Sequence, residues 1–123
     1  MELTPAMRGL MAASAEKRYK NFLSTAADSE EVWMLASEDG YASFDTDDGK
    51  ICLRVGPERW FAEWCADGDE PELVEVHDFC DRCREVEDDD AILFAVFPTE
   101  GDSFVVTPSE LLSDLEEALA ELE

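Results

Sequence analysis

With 123 residues the chain has room for one domain, and 46% apolar residues, among them seven Phe and three Trp, exclude global disorder. Nine Lys plus Arg against 32 Asp plus Glu leave a formal charge of −23. That charge repels nucleic-acid phosphates and anionic headgroups, so no nucleic acid and no membrane surface is expected as a partner, whereas a basic protein is.

The elements follow in chain order. Thr4-Pro5 supplies an N-cap and a first-turn proline, and Met7, Met11, Ala15, Tyr19, Phe22 and Ala26 recur at helical spacing. One helix is predicted to about Ala27, with Gly9 as its weak point. Three strands come next: Val32–Ala36, Tyr41–Phe44 and Ile51–Val55, separated by turn signals at Glu38-Asp39-Gly40 and Asp45–Gly49. They read as an antiparallel meander. Gly56-Pro57 opens a short helix with Trp60, Phe61, Trp64 and Cys65 on one side, and Gly68–Pro71 is a loop. Leu73–Val76 is a strand leading into a helix from His77 or Asp78 to Val86, whose apolar stripe is Phe79, Cys80, Cys83 and Val86.

The run Ala91–Phe97 is apolar without alternation, as expected of a central strand covered on both faces. Pro98–Asp102 turns it into Phe104–Val106. The last helix has the clearest start, with Thr107 as cap, Pro108 in the first turn and Glu110 three residues after the cap. The predicted fold class is α+β: a single domain, 1–123, with a mainly antiparallel or mixed sheet of about six strands and about four helices, in the order α-β-β-β-α-β-α-β-β-α.

Several residue groups then form an ordered set. Arg18-Tyr19, Phe22-Leu23, Val32-Trp33 and Asp39-Gly40 are followed by Trp64, Phe79, Val96-Phe97-Pro98-Thr99 and Pro108-Ser109-Glu110-Leu111. This succession, over residues 10 to 123, resembles the uncharacterised bacterial domain-of-unknown-function family 2750. Arg54 and Gly56 stand where that pattern leads one to expect a proline and an aromatic residue. The stretch from Ile51 onward is also similar, more weakly, to the N-terminal domain of the enhanced serine sensitivity protein family. Neither resemblance implies a catalytic residue or a cofactor.

The one group with metal-ligand chemistry is His77, Cys80 and Cys83, since a CxxC pair is a common zinc half-site. Against it, Cys52 and Cys65 are on different predicted elements and do not form a second close pair. Cys80 and Cys83 also lie on an apolar stripe, where free cysteine behaves as a small hydrophobe. Asp78, Asp81 and Glu85 around the pair disfavour a reactive thiolate. No GxSxG elbow, second histidine or GxG cradle is present, and the Asp45–Gly49 turn lacks the calcium-loop spacing. An enzymatic cleft, were there one, is expected near His77 and the loops around Asp39 and Pro98. Glu2, Pro5 and Arg8 interrupt any secretory apolar region, and no apolar run approaches about 18 residues, so the expected location is cytoplasmic with reduced cysteines.

The expected function is a non-enzymatic interaction or regulatory protein whose acidic surface binds a basic partner, an immunity-like protein being one form. The alternatives are a zinc or thiol protein using Cys80 and Cys83, and a charge that reflects salt adaptation alone. Three lysines (Lys17, Lys20, Lys50) against six arginines suit a potassium-rich cytoplasm, where salt screens self-repulsion. Salt adaptation predicts a melting temperature that climbs from low to molar potassium chloride; a flat one contradicts it.

Overall fold

Ser14 divides the predicted first helix. Its hydroxyl accepts from the Lys17 amide at 3.2 Å while Ala13 is extended, so α1 (Pro5–Ala12) ends and α2 (Ala15–Ser29) begins at a second cap, away from Gly9. The computed structural model describes residues 3–37, 40–41, 43–46, 48–65, 69–98 and 104–122. Within them follow β1 (Glu31–Ser37), β2 (Gly40–Tyr41), β3 (Ser43–Asp45), β4 (Ile51–Val55), α3 (Arg59–Cys65), β5 (Glu70–Glu75) and α4 (Val76–Val86). Then come β6 (Ile92–Val96), β7 (Phe104–Val106) and α5 (Pro108–Glu121). Asp39, Gly68 and the turn 99–102 lie outside the described residues.

The chain is α+β, and its strands form two sheets where one was expected. A three-stranded sheet has the order β2-β1-β5 and a four-stranded sheet the order β3-β4-β6-β7. All neighbours are antiparallel except β4 and β6. The predicted meander therefore splits. β1 pairs with β5 along six residues, from Glu31 opposite Glu75 to Ala36 opposite Glu70, and β4 belongs to the other sheet. The central strand β6 buries Phe94, Ala95 and Val96, as its unbroken apolar run required.

Gly56 joins the sheets. Its N–H and C=O exchange two 2.9 Å hydrogen bonds with Trp33 of β1, so the residues after β4 cannot enter the helix until Arg59. A Cβ at Gly56 would come within 2.1 Å of the Phe61 ring, a position open only to glycine.

Among the described residues Arg18 is the buried charge of the core, 2% exposed. Its Nε donates to the Phe97 carbonyl at 3.0 Å, and its Nη1 donates to the carbonyl of Ala13. Phe97 is left-handed, with φ of 48°, where a bulky side chain is strained. The contact holds it there, together with the bond from its own N–H to Val55 O at 2.8 Å. The turned ring packs against Phe61 at 4.6 Å and Trp60 at 6.1 Å. The main cluster of buried apolar side chains runs from Tyr19 and Phe22 on α2 through Val55, Phe79 and Phe94 to Leu111 and Leu115 on α5.

Arg18→Met removes the donor to the buried Phe97 carbonyl and to the half-buried Ala13 carbonyl and is expected to destabilise by about 3 kcal/mol. Gly56→Ala overpacks the Phe61 ring, at about 1–3 kcal/mol. Urea unfolding checks both; unchanged midpoints contradict the assignment.

Candidate functional site

α4 begins because the Glu75 carboxylate caps it, accepting from the amides of His77 at 2.9 Å and Asp78 at 3.1 Å. The same carboxylate meets His77 Nδ1 at 2.6 Å. That hydrogen bond and the charge behind it raise the His77 pKa, while burial is outweighed by the bonds from His77 and Asp78 in lowering the Glu75 pKa. His77 is exposed, whereas Cys80 and Cys83 are buried among Val76, Phe79 and the core. The structure thus separates the three residues of the zinc reading. Among the described residues, no group of three or more His, Cys, Asp or Glu is placed to hold a metal ion.

Burial, then the neighbouring Cys80, pushes the Cys83 thiol up to about 12, and burial alone takes Cys65 up to about 12 against the pull of Arg54. Burial also raises Cys52 and Cys80. All four are free thiols. A protonated, buried thiol is a poor nucleophile, so Cys52, Cys80 and Cys83 pack as core apolar groups, with half-buried Cys65 at the core's edge. Of the expected enzymatic cleft, Pro98 is buried, His77 is engaged by Glu75, and Asp39 lies outside the described residues.

A concave surface forms instead between α2 and α5. Tyr19 stacks on Phe104 with centroids 4.3 Å apart and donates its hydroxyl to Asp114 Oδ2 at 2.5 Å. Burial and then the Asp114 carboxylate hold the phenol protonated far above its ordinary range, so it remains a donor. Beyond this tie the helices bound a groove of about 420 Å³. Leu23 and Ala27 of α2 and Ala118 of α5 make its apolar floor, continued by Leu122, which is 59% exposed. Asp114, Glu117 and Glu121 supply its carboxylates. The single basic lining residue, Lys20, is paired at 3.3 Å with Glu16 on its own helix. On α5, Glu116 receives Arg84 of α4 at 3.1 Å. The groove combines apolar contact area with negative charge. The helical spacing of Leu111, Leu112, Leu115, Leu119 and Leu122 reads in the sequence as one buried stripe. Leu111, Leu112 and Leu115 are buried and Leu119 is half-buried, but Leu122 is exposed, because the facing of α5 by α2, which the sequence does not show, leaves the groove open at that end.

Native-state labelling with a thiol reagent is expected to leave Cys80 and Cys83 unmodified until denaturant is added; rapid labelling contradicts their burial. The His77–Glu75 pair has a defined pH window. A raised histidine stabilises below its unfolded value of 6.5 and loses that contribution as pH rises through the folded value. A lowered carboxylate stabilises above its unfolded value of 4.5 and loses that contribution as pH falls through the folded value. The pair therefore acts mainly between those limits. An NMR titration should place His77 above 6.5, with Glu75→Gln bringing it back; an unchanged titration in that variant contradicts the pairing.

No helix among the described residues is long and apolar enough to cross a membrane. No curated protein matches the chain. Residues 19–115 match a family described as "Protein of unknown function (DUF2750)", a span that starts at Tyr19 and includes its partner Asp114. The match covers most of the 123 residues, and the chain belongs to the DUF2750 family.

Proposed function

We propose that the protein is a non-enzymatic binding module that docks a basic partner through the groove between α2 and α5. The observation that supports this reading most directly is the groove's composition. An apolar floor of Leu23, Ala27, Ala118 and Leu122 lies beside Asp114, Glu117 and Glu121. An amphipathic segment, with an apolar face and Lys or Arg at its margins, matches both features. Helix-in-groove recognition uses that combination, with apolar anchors supplying burial and rim charges steering approach. The remaining surface strengthens the encounter, because a charge of −23 attracts a cationic chain before it reaches the groove. A small basic nuclease or toxin presents suitable chemistry, which makes an immunity-like role one form of this reading.

Salt adaptation alone explains the net charge without explaining carboxylates set beside an apolar floor that is half-buried at Leu23 and Ala118 and exposed at Leu122. A synthetic amphipathic peptide of alternating leucine and lysine pairs, and a glutamine-for-lysine control, distinguish the two. Amide shifts should concentrate at Leu23, Ala27, Ala118 and Leu122 with the lysine peptide. Glu117→Lys with Glu121→Lys should weaken binding at least about tenfold, as expected when rim attraction becomes repulsion. Shifts spread equally over α4 and the acidic stretch Glu87–Asp90 contradict the proposal.

A further inference from the structure

A second cavity, sharing no residue with the groove, opens where the two sheets part. Gly56 holds β1 and β4 together at Trp33, and α4 spans the gap beyond this joint. The space beneath α4 measures about 230 Å³. Met34, Phe79 and Phe94 form its buried wall, and half-buried Leu53, Val86 and Ile92 line it as well. Every one of these six side chains is apolar. The polar lining is confined to Tyr41, Arg82 and Glu85.

Those three residues are arranged with opposite charges side by side. Arg82 and Glu85 are three apart on α4, so they are neighbours on one helix face. They form no direct ion pair with each other. The ion pairs of the described residues engage Lys20, Arg59, His77 and Arg84, and neither Arg82 nor Glu85 is in one. Arg82 instead lies over the Tyr41 ring, its guanidinium carbon 5.3 Å from the centroid, which holds the cation beside the cavity.

We propose that this cavity binds a free hydrophobic α-amino acid, side chain inward, its carboxylate on Arg82 and its ammonium on Glu85. Size is the first reason. Drug-sized ligands occupy clefts of about 300–1,000 Å³, so a space of 230 Å³ suits a smaller molecule with one apolar group. Charge is the second. A guanidinium presents paired donors that match a carboxylate, and a carboxylate accepts from an ammonium. A simple anion meets Glu85 and the field of a −23 chain, and a simple amine meets Arg82; a zwitterion carries no net charge and satisfies both. The site takes no part in docking at the groove and stands whether or not that docking occurs.

The test is calorimetry and amide-shift mapping on the intact chain. The probes are L-leucine and L-phenylalanine, with isocaproate, isoamylamine and glycine as analogues lacking the ammonium, the carboxylate and the side chain. At least one of the two amino acids should shift Leu53, Ile92 and Phe94, and each truncated analogue should bind at least about tenfold more weakly, the loss expected for one charge-assisted contact or the apolar anchor. Arg82→Gln should weaken the amino acid by a similar factor without weakening isoamylamine, and Glu85→Gln should do so without weakening isocaproate. Both positions are exposed, so unchanged melting will show that the variants fold. No shift in the cavity with either amino acid overturns the proposal. So does isocaproate or isoamylamine binding as tightly as leucine.

Discussion

The buried guanidinium of Arg18 fixes the end of β6, and much of the rest of the molecule follows from that contact. By donating to the Phe97 carbonyl it holds a bulky residue in the left-handed region, which turns the chain out of the sheet and sets the Phe97 ring against Phe61. Phe61 in turn occupies the space above Gly56, where no side chain fits, and Gly56 carries the paired hydrogen bonds that connect the two sheets. One long side chain on α2 thereby links a helix to a strand end, and through the aromatic cluster to the joint between β1 and β4. Its burial is costly unless its donors are satisfied, so the contact restrains which packings the core accepts.

The next residue, Tyr19, extends the same logic to α5. With Arg18 directed at the sheet end and the Tyr19 hydroxyl on Asp114, α2 is held along both neighbours. The groove is what remains where the two helices pass beyond that tie. Its carboxylates belong to α5, the helix with the most secure start in the chain, because Thr107 and Glu110 cap it reciprocally and Pro108 occupies its first turn. The binding surface we propose is thus built on restrained elements, which lowers the ordering cost of docking.

Local signals carried much of the fold. The caps at Thr4 and Thr107, the apolar stripe of α4 and the unbroken run of β6 can each be read within a few residues, and the structure contains all of them. What was not legible depends on distant partners. Ser14 looks like any polar residue in a helical pattern until its capping bond is seen. The division of the predicted second strand into β2 beside β1 and β3 beside β4, and the pairing of β1 with β5, are matters of tertiary pairing, which period-two alternation does not encode. Arg18 carried no sign of burial, since arginine is ordinarily exposed and its acceptor is 79 residues away. The two cavities are harder still, because each needs side chains from elements far apart in sequence. His77, Cys80 and Cys83 drew notice by residue type, yet the helix face places the thiols in the core and leaves the histidine at the surface.

The measurement that tests the functional account most directly is affinity capture of the tagged protein from its own cells, run at low and at molar salt beside the variant carrying Glu117→Lys and Glu121→Lys. The account predicts a stoichiometric basic partner that survives high salt on the unaltered chain, through its apolar anchors, and is absent from the variant. Identical captures by both forms, or partners that appear only at low salt, would contradict it and leave the acidic surface with a role in solvation alone.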